Sequence, residues 1–370
     1  MAGAAHLYVH LPFCSARCGY CDFVTVVGHG DRHDPYVDAL LAELELERDL
    51  LAPELDSIYL GGGTPTLTAA PALERLLQAL PPAREVTVEA NPETVTRELA
   101  ALLARNRVDR VSIGAQSFHM HLLDVLDRRA RPDDVRAAVH RLRDAGIDNS
   151  SLDLIYGIPG QEPAHLARDL DEALALEPEH LSAYELEAKP GTRFTHVHGD
   201  ELRRQAEAME SYFEHVVETV TSAGYRWYET ANFCRRPELA GGRDLRARHN
   251  LGYWLGHDYL GLGVGAVSTI ENRRWRNAPS LGRYLAALAR GERPARDVED
   301  LPEAVRVTER LMLGLRLDEP LPLEDVRSVL DEAELAGLAA AGLAERAGDA
   351  VRLTRRGRFL GGGVTARLLA

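Results

Sequence analysis

Cysteine is scarce: four in 370 residues, too few for a disulfide scaffold. Three of them, Cys14, Cys18 and Cys21, crowd into HLPFCSARCGYCDF, which fits a reducing compartment and a metal or reactive site. Long apolar runs are missing too. The richest, LAGLAAAGLA, is about half of the roughly 20 residues a membrane helix needs. The opening MAGAAHLYVH has neither the basic nor the apolar region of a signal peptide. Positive charge is in deficit, with 43 Lys and Arg against 57 Asp and Glu and a net charge of −14. That balance argues against non-specific binding to nucleic acid or anionic membranes. The expectation is a cytoplasmic protein with no integral membrane segment and no nucleic-acid partner. Its 45% hydrophobic content suffices for a large core.

What is present is an alternation of short β-rich runs and longer helical patterns. Strands are predicted at 7–11, 57–62, 85–90, 110–115, 151–157 and 180–186. Helical patterns follow at 34–51, 68–79, 94–105, 119–127 with 133–145, 163–176 and 200–223. Six strand-then-helix units imply a parallel sheet, because parallel neighbours need crossover connections. GGGTP, EANP, GAQSF and YGIPGQ fall at the C-terminal ends of these strands, the edge where parallel α/β folds bind ligands. After residue 225 the texture changes. Strands in YRWYETANF and YLGLGVGAVSTI flank an Arg-rich loop (235–248) and HNLGYW. From 301, helical patterns (EAVRVTERLMLGLRL, PLEDVRSVL, ELAGLAAAGL) lead to a hairpin with its turn at AGD and a last helix, a winged-helix-like pattern. The expected domains are 1–224, 225–300 and 301–370. Arg352, Arg355, Arg356 and Arg358 read as a solvated basic helix on an acidic protein rather than as a nucleic-acid site.

Three thiols at C-x3-C-x2-C spacing can converge on one metal centre, yet structural zinc and [4Fe–4S] clusters each normally take four protein ligands. Phe23 stands where a further thiol could be. Spacing alone leaves two readings: a zinc site closed by Cys234 or a histidine, or an iron–sulfur cluster with one iron open to a cofactor.

The motifs YVHLPFC, GGGTPT, EANP, RVSIGAQSF and DLIYGIPGQ, taken together over residues 7–317, resemble the radical S-adenosylmethionine (SAM) superfamily, and within it the coproporphyrinogen III oxidase-like family. The resemblance implies a partial (βα)6 parallel TIM-like barrel with a C-terminal α+β winged-helix-like appendix. It also implies a [4Fe–4S] cluster on Cys14, Cys18 and Cys21 whose fourth iron is chelated by SAM. By the same resemblance, Tyr8, Gly62, Thr64 and Glu89 contact that SAM. Tyr20, Gly63, Gln116, Arg128 and Asp153 match positions that hold a second SAM in the oxidase.

Phe23 and the short segment before the first strand point away from the oxidase. HNLGYW matches the H-N-x-x-Y-W motif of the HemW haem-chaperone branch, where the histidine, here His249, is implicated in haem binding. That branch implies haem as ligand and a haem-acceptor protein, expected to be a respiratory enzyme, as partner; homodimerisation is compatible with it. Competing readings are an oxidase that decarboxylates coproporphyrinogen III, a radical SAM methyltransferase or cyclopropanase, and a zinc-stabilised binding module. Two positions depart from the branch: RRARP lacks the histidine often found after the arginine matched by Arg128, and Val267 stands where GAH is common. Cys234 matches no cluster position and reads as a free thiol.

Overall fold

The computed structural model describes residues 3–189 and 193–369. Six strands, β1 (His6–Leu11), β2 (Ser57–Gly62), β3 (Val86–Ala90), β4 (Arg110–Gln116), β5 (Ser150–Tyr156) and β6 (His180–Glu185), lie parallel and in chain order. Their positions agree with the expected strands to within about a residue. Beyond β6 the sheet continues antiparallel through β8 (Asn232–Arg235) and β7 (Tyr225–Trp227). On the other side, β9 (Tyr259–Leu262) pairs parallel with β1, His6 opposite Tyr259. It therefore adds a seventh parallel strand to the six expected. Antiparallel strands β10 (Val267–Ile270), β11 (Arg273–Asn277) and β12 (Arg296–Asp300) extend that edge, making one twelve-stranded sheet.

Strand alternation divides this sheet chemically. Leu7, Val9, Ile58, Leu60, Val111 and Ile113 face outward and are fully buried under the helices. The other parity carries His6, Tyr8 and His10 on β1, Ser57 and Tyr59 on β2, Glu89 on β3, Arg110 and Ser112 on β4, Ser151 and Asp153 on β5, and His180 and Ser182 on β6. Closed TIM barrels fill the interior mainly with branched aliphatic side chains. A polar interior belongs to a chamber that receives a ligand.

The Arg-rich stretch after β8 is the floor of this chamber. Arg110 Nη2 donates to Leu245 O at 2.7 Å, and the Arg248 backbone N donates to Glu85 Oε1 at 2.9 Å. The helix Arg248–Trp254 then passes beneath the N-terminal ends of the strands, its His249 bonded to Ser57 at the start of β2.

Two helix expectations change. The pattern at 200–223 is two helices, Arg193–Gln205 and Met209–Ser222, separated by a 3-10 turn at Ala206–Ala208. Both halves are pinned to the loop after β5. The Gln205 amide donates to the Ile158 and Gln161 carbonyls at 3.0 and 3.2 Å, and Tyr212 OH donates to Gln161 O at 2.8 Å. PLEDVRSVL forms only a 3-10 turn at Leu323–Asp325, because Leu321–Pro322 just before it is drawn into a sheet with Ala350–Leu353. The last part of the chain has its own core around Leu311, Val326, Leu335, Leu338, Val351 and Leu368, and a hairpin turning at Gly348–Asp349. No described helix is long and apolar enough to cross a membrane.

Glu43, on the helix His33–Glu47, ties the added strands to the barrel. It has no exposed surface and accepts from Gly263 N at 2.8 Å, Asn277 Nδ2 at 2.7 Å and Tyr284 OH at 2.6 Å. A neutral amide cannot accept from all three donors and would bury a surplus N–H. Glu43→Gln is therefore expected to cost about 1–3 kcal/mol of stability, read from the urea midpoint at pH 7.

Candidate functional site

The cysteine loop follows β1 and lies over the C-terminal ends of the strands. Cys14, Cys18 and Cys21 line one cavity of about 450 Å³, which runs from this loop down into the polar interior. Each is a free thiol, partly exposed to the cavity. Hydroxyl and guanidinium groups approach two of the sulfurs: Thr64 Oγ1 lies 3.7 Å from Cys14 Sγ, and Arg128 Nη1 lies 3.8 Å from Cys18 Sγ. Burial pushes the Cys14 and Cys21 thiols above their ordinary range, so free thiols there stay protonated. Cys234 is elsewhere, buried beside Tyr228 and Leu245, with its thiol pushed up to about 12. It does not reach the loop as a fourth ligand.

GGGTP makes the wall facing the cysteines. Gly62 has φ of +108°, which a side chain rarely tolerates, and its N–H donates to Glu89 Oε2 at 3.1 Å. A Cβ at Gly63 would lie 2.6 Å from the Pro12 carbonyl carbon, so only glycine lets this wall approach the cysteine loop. Glu89 sits behind the wall, its Oε1 accepting from Tyr59 OH at 2.8 Å. Burial raises its pKa to about 7, against the opposing pull of the Tyr59 hydrogen bond.

The other half of the cavity is built from EANP, GAQSF and β5. Asn91 is a hinge between the halves: its Nδ2 donates to Thr64 Oγ1 at 3.1 Å, and its Oδ1 accepts from Arg128 Nη2 at 2.8 Å. Arg128 Nη2 also holds the Gly114 carbonyl at 2.9 Å. Gln116 has φ of +64°, unusual for a non-glycine residue, where the β4–β5 register slips. Strain of this kind concentrates at ligand sites. Asp153 accepts from Ser112 Oγ at 2.9 Å and is raised above the ordinary carboxylate range by burial.

Every site residue singled out from the sequence lines this cavity except Tyr8 and His249. Tyr8 OH bonds His10 Nδ1 at 3.1 Å, and both residues line a neighbouring cavity of about 230 Å³ with Phe23, Tyr253 and Val267. Asn91, Tyr59, Ser112 and Arg110 were missed. Asn91 lay inside the quoted EANP, and Arg110 and Ser112 inside the quoted RVSIGAQSF; their roles, like that of Tyr59, come from strand parity and partners that the motifs do not show.

The donor set fits an iron–sulfur cluster better than a closed single-ion site. Three free thiols line a cavity of about 450 Å³ with Cys234 too far off to close the set, which suits a centre that keeps one position open.

A model of the radical SAM superfamily matches residues 8–173, and one of the HemN C-terminal domain matches residues 301–360. The heme chaperone HemW of Mycobacterium tuberculosis is 37% identical, covering 98% of this chain and 94% of its own. That of Bacillus subtilis is 33% identical, covering 98% of both. The chain belongs to the HemW family. Its fold is also that of the coproporphyrinogen III oxidase HemN of Escherichia coli, with a TM-score of 0.80 at 22% identity over 99% of this chain and 90% of that one. Radical SAM membership implies a [4Fe–4S] cluster and SAM.

His249 lies apart from the cysteine cavity. It is 2% exposed, and both ring nitrogens are engaged: Nδ1 with Ser57 Oγ at 2.9 Å, Nε2 with Tyr253 OH at 3.0 Å. The same Ser57 hydroxyl bonds His6 at 2.8 Å, and the His249 ring stacks on Tyr59 with centroids 5.0 Å apart. Burial lowers its pKa from 6.5 to about 3. Below pH 6.5 the unfolded chain takes up a proton that the folded chain refuses, so this group's penalty grows as pH falls toward 3, by roughly 1.4 kcal/mol per pH unit. Between pH 7 and pH 5 the wild type is expected to lose about 2 kcal/mol more stability than His249→Gln, measured by urea unfolding at both values.

Proposed function

We propose that this protein is a cytoplasmic haem chaperone: it binds haem, carries a [4Fe–4S] cluster with SAM, and passes haem to an acceptor protein, a respiratory enzyme. The observation that carries this reading is the end-to-end likeness to proteins named heme chaperone, in a chain whose cysteine loop ends in Phe23.

Cys14, Cys18 and Cys21 would hold three irons. Gly62 and Thr64 would present backbone and hydroxyl groups to the cluster-bound SAM, and Gly63 to a second one; Tyr8, expected to contact the first, lies in the neighbouring cavity against His10. Glu89 is oriented for an ammonium or hydroxyl donor by its bonds to Tyr59 and Gly62. When bound, the cluster and SAM would supply one-electron chemistry in this cavity. Tyr20, Gln116, Arg128 and Asp153 line its far side, where a second SAM or another carboxylate-bearing group would be held, Arg128 by charge-assisted hydrogen bonds.

For haem, His249 remains the proposed ligand, on the condition that its Nε2 exchanges the Tyr253 hydroxyl for iron. Tyr253 lies against the small cavity under Phe23, the side from which that exchange would open. Val267 lines the same cavity as Tyr253.

Anaerobic reconstitution is expected to give about four irons per chain, absent from Cys18→Ala, and haem binding near one to one by visible absorption. His249→Ala is expected to lose haem binding and keep the cluster. Tyr253→Phe, which frees Nε2, is expected to keep or tighten it. Unchanged haem spectra in His249→Ala would remove His249 as the ligand. Turnover of coproporphyrinogen III by the wild type would reinstate the oxidase.

A further inference from the structure

Of the four arginines near the end of the chain, Arg352, Arg355 and Arg356 are exposed as expected, while Arg358 is half-buried. Arg352, Arg355 and Arg358 meet Arg226 and Arg236 in a groove of about 740 Å³ between edge strand β7 and the C-terminal hairpin. Two of these are neutralised. Arg226 forks onto Asp318 at 2.7 and 2.9 Å, and Arg352 pairs with Glu345. Arg236 and Arg355 have no carboxylate partner among the described residues.

Arg358 is held most firmly. Its guanidinium carbon lies 3.6 Å from the centroid of the Trp227 ring, and Nη1 donates to Trp227 O at 2.8 Å. Its Nε and Nη2 are buried and find no acceptor among the described residues. Desolvation lowers its pKa to about 10. Stacking on an indole offsets part of the cost of burying the charge, yet orphaned donors on a buried cation remain expensive. The Nε–Nη2 edge is the fork that receives two oxygens of a carboxylate or phosphate.

Asp318, Glu238 and Glu345 border the same groove. They would repel a long polyanion while leaving room for one compact group beside Arg236, Arg355 and Arg358.

We propose that this groove binds a compact oxyanion, the phosphate or carboxylate group of a small ligand, between the exposed Arg236 and Arg355, with Arg358, whose Nε–Nη2 edge is covered in the free protein, turning that edge out to meet it. The site is separate from the cysteine cavity and stands whether or not the haem reading does.

The test uses the full chain, titrated calorimetrically with pyrophosphate and with citrate and melted in each, against sodium chloride at matched ionic strength. One of the two anions is expected to bind near one to one and raise Tm above the chloride control; which one does so separates phosphate from carboxylate. The exposed-site double variant Arg236→Gln/Arg355→Gln is expected to weaken binding about tenfold, with iron content after reconstitution unchanged. Arg358→Lys, which keeps charge and loses the fork, is expected to weaken it by a similar factor. If that variant fails to fold, the double variant decides alone. The proposal is overturned if neither anion exceeds the chloride control, if affinity survives the double variant, or if an oligonucleotide binds through the same arginines more tightly than either anion.

Discussion

Glu89, Asp153 and Arg110 project into the interior of a parallel barrel, where charge is costly unless it is bonded. The arrangement of the molecule follows from meeting that demand. Glu89 is met by Tyr59 and the Gly62 amide, Asp153 by serines on β4 and β5, and Arg110 by Glu85 and the Leu245 carbonyl. Arg110 Nη1 is buried with no partner among the described residues, in a side chain that lines the main cavity. A barrel filled with Leu and Ile would need none of these partners and would have no chamber.

The same demand explains the floor. Residues 236–254 bring no catalytic motif to the cysteines. They supply the carbonyl for Arg110, the amide for Glu85 and the imidazole for Ser57. His249 stacks on Tyr59, whose hydroxyl holds Glu89. The HNLGYW segment and the cluster cavity are thus adjoining parts of one polar interior, in contact through Tyr59. A rearrangement that freed His249 would also change the support of Glu89.

The family likeness and the local chemistry meet at the cysteine loop. Gly63 allows the GGGTP wall to close on Pro12, and Asn91 joins Thr64 to Arg128, so the three-cysteine side and the far side form one cavity. Phe23, 60% exposed beside Cys21, replaces a thiol with an apolar surface at the rim. The chain therefore offers three sulfurs and a hydrophobic edge rather than four sulfurs.

By itself the sequence determined the parallel strands, because each apolar run is followed by a helix long enough for a crossover, and it determined the cysteine cavity, because the ligand motifs all sit at one end of those strands. Hydrophobic pattern and turn chemistry are local signals, and both were legible. What lay across the chain was decided by tertiary structure. β9 is parallel because it docks beside β1, although its own residues suit either direction. Tyr59, Ser112 and Arg110 matter through inward parity, which needs the sheet. His249 could be singled out from its motif, but its burial and the engagement of its nitrogens by Ser57 on β2 and Tyr253 one helical turn on were decided by the fold. Arg358 looked solvated and is stacked on Trp227, 131 positions earlier in the chain. A side chain's neighbours along the sequence set its conformation; its partners for charge and hydrogen bonding come from wherever the fold brings a polar atom within 3 Å.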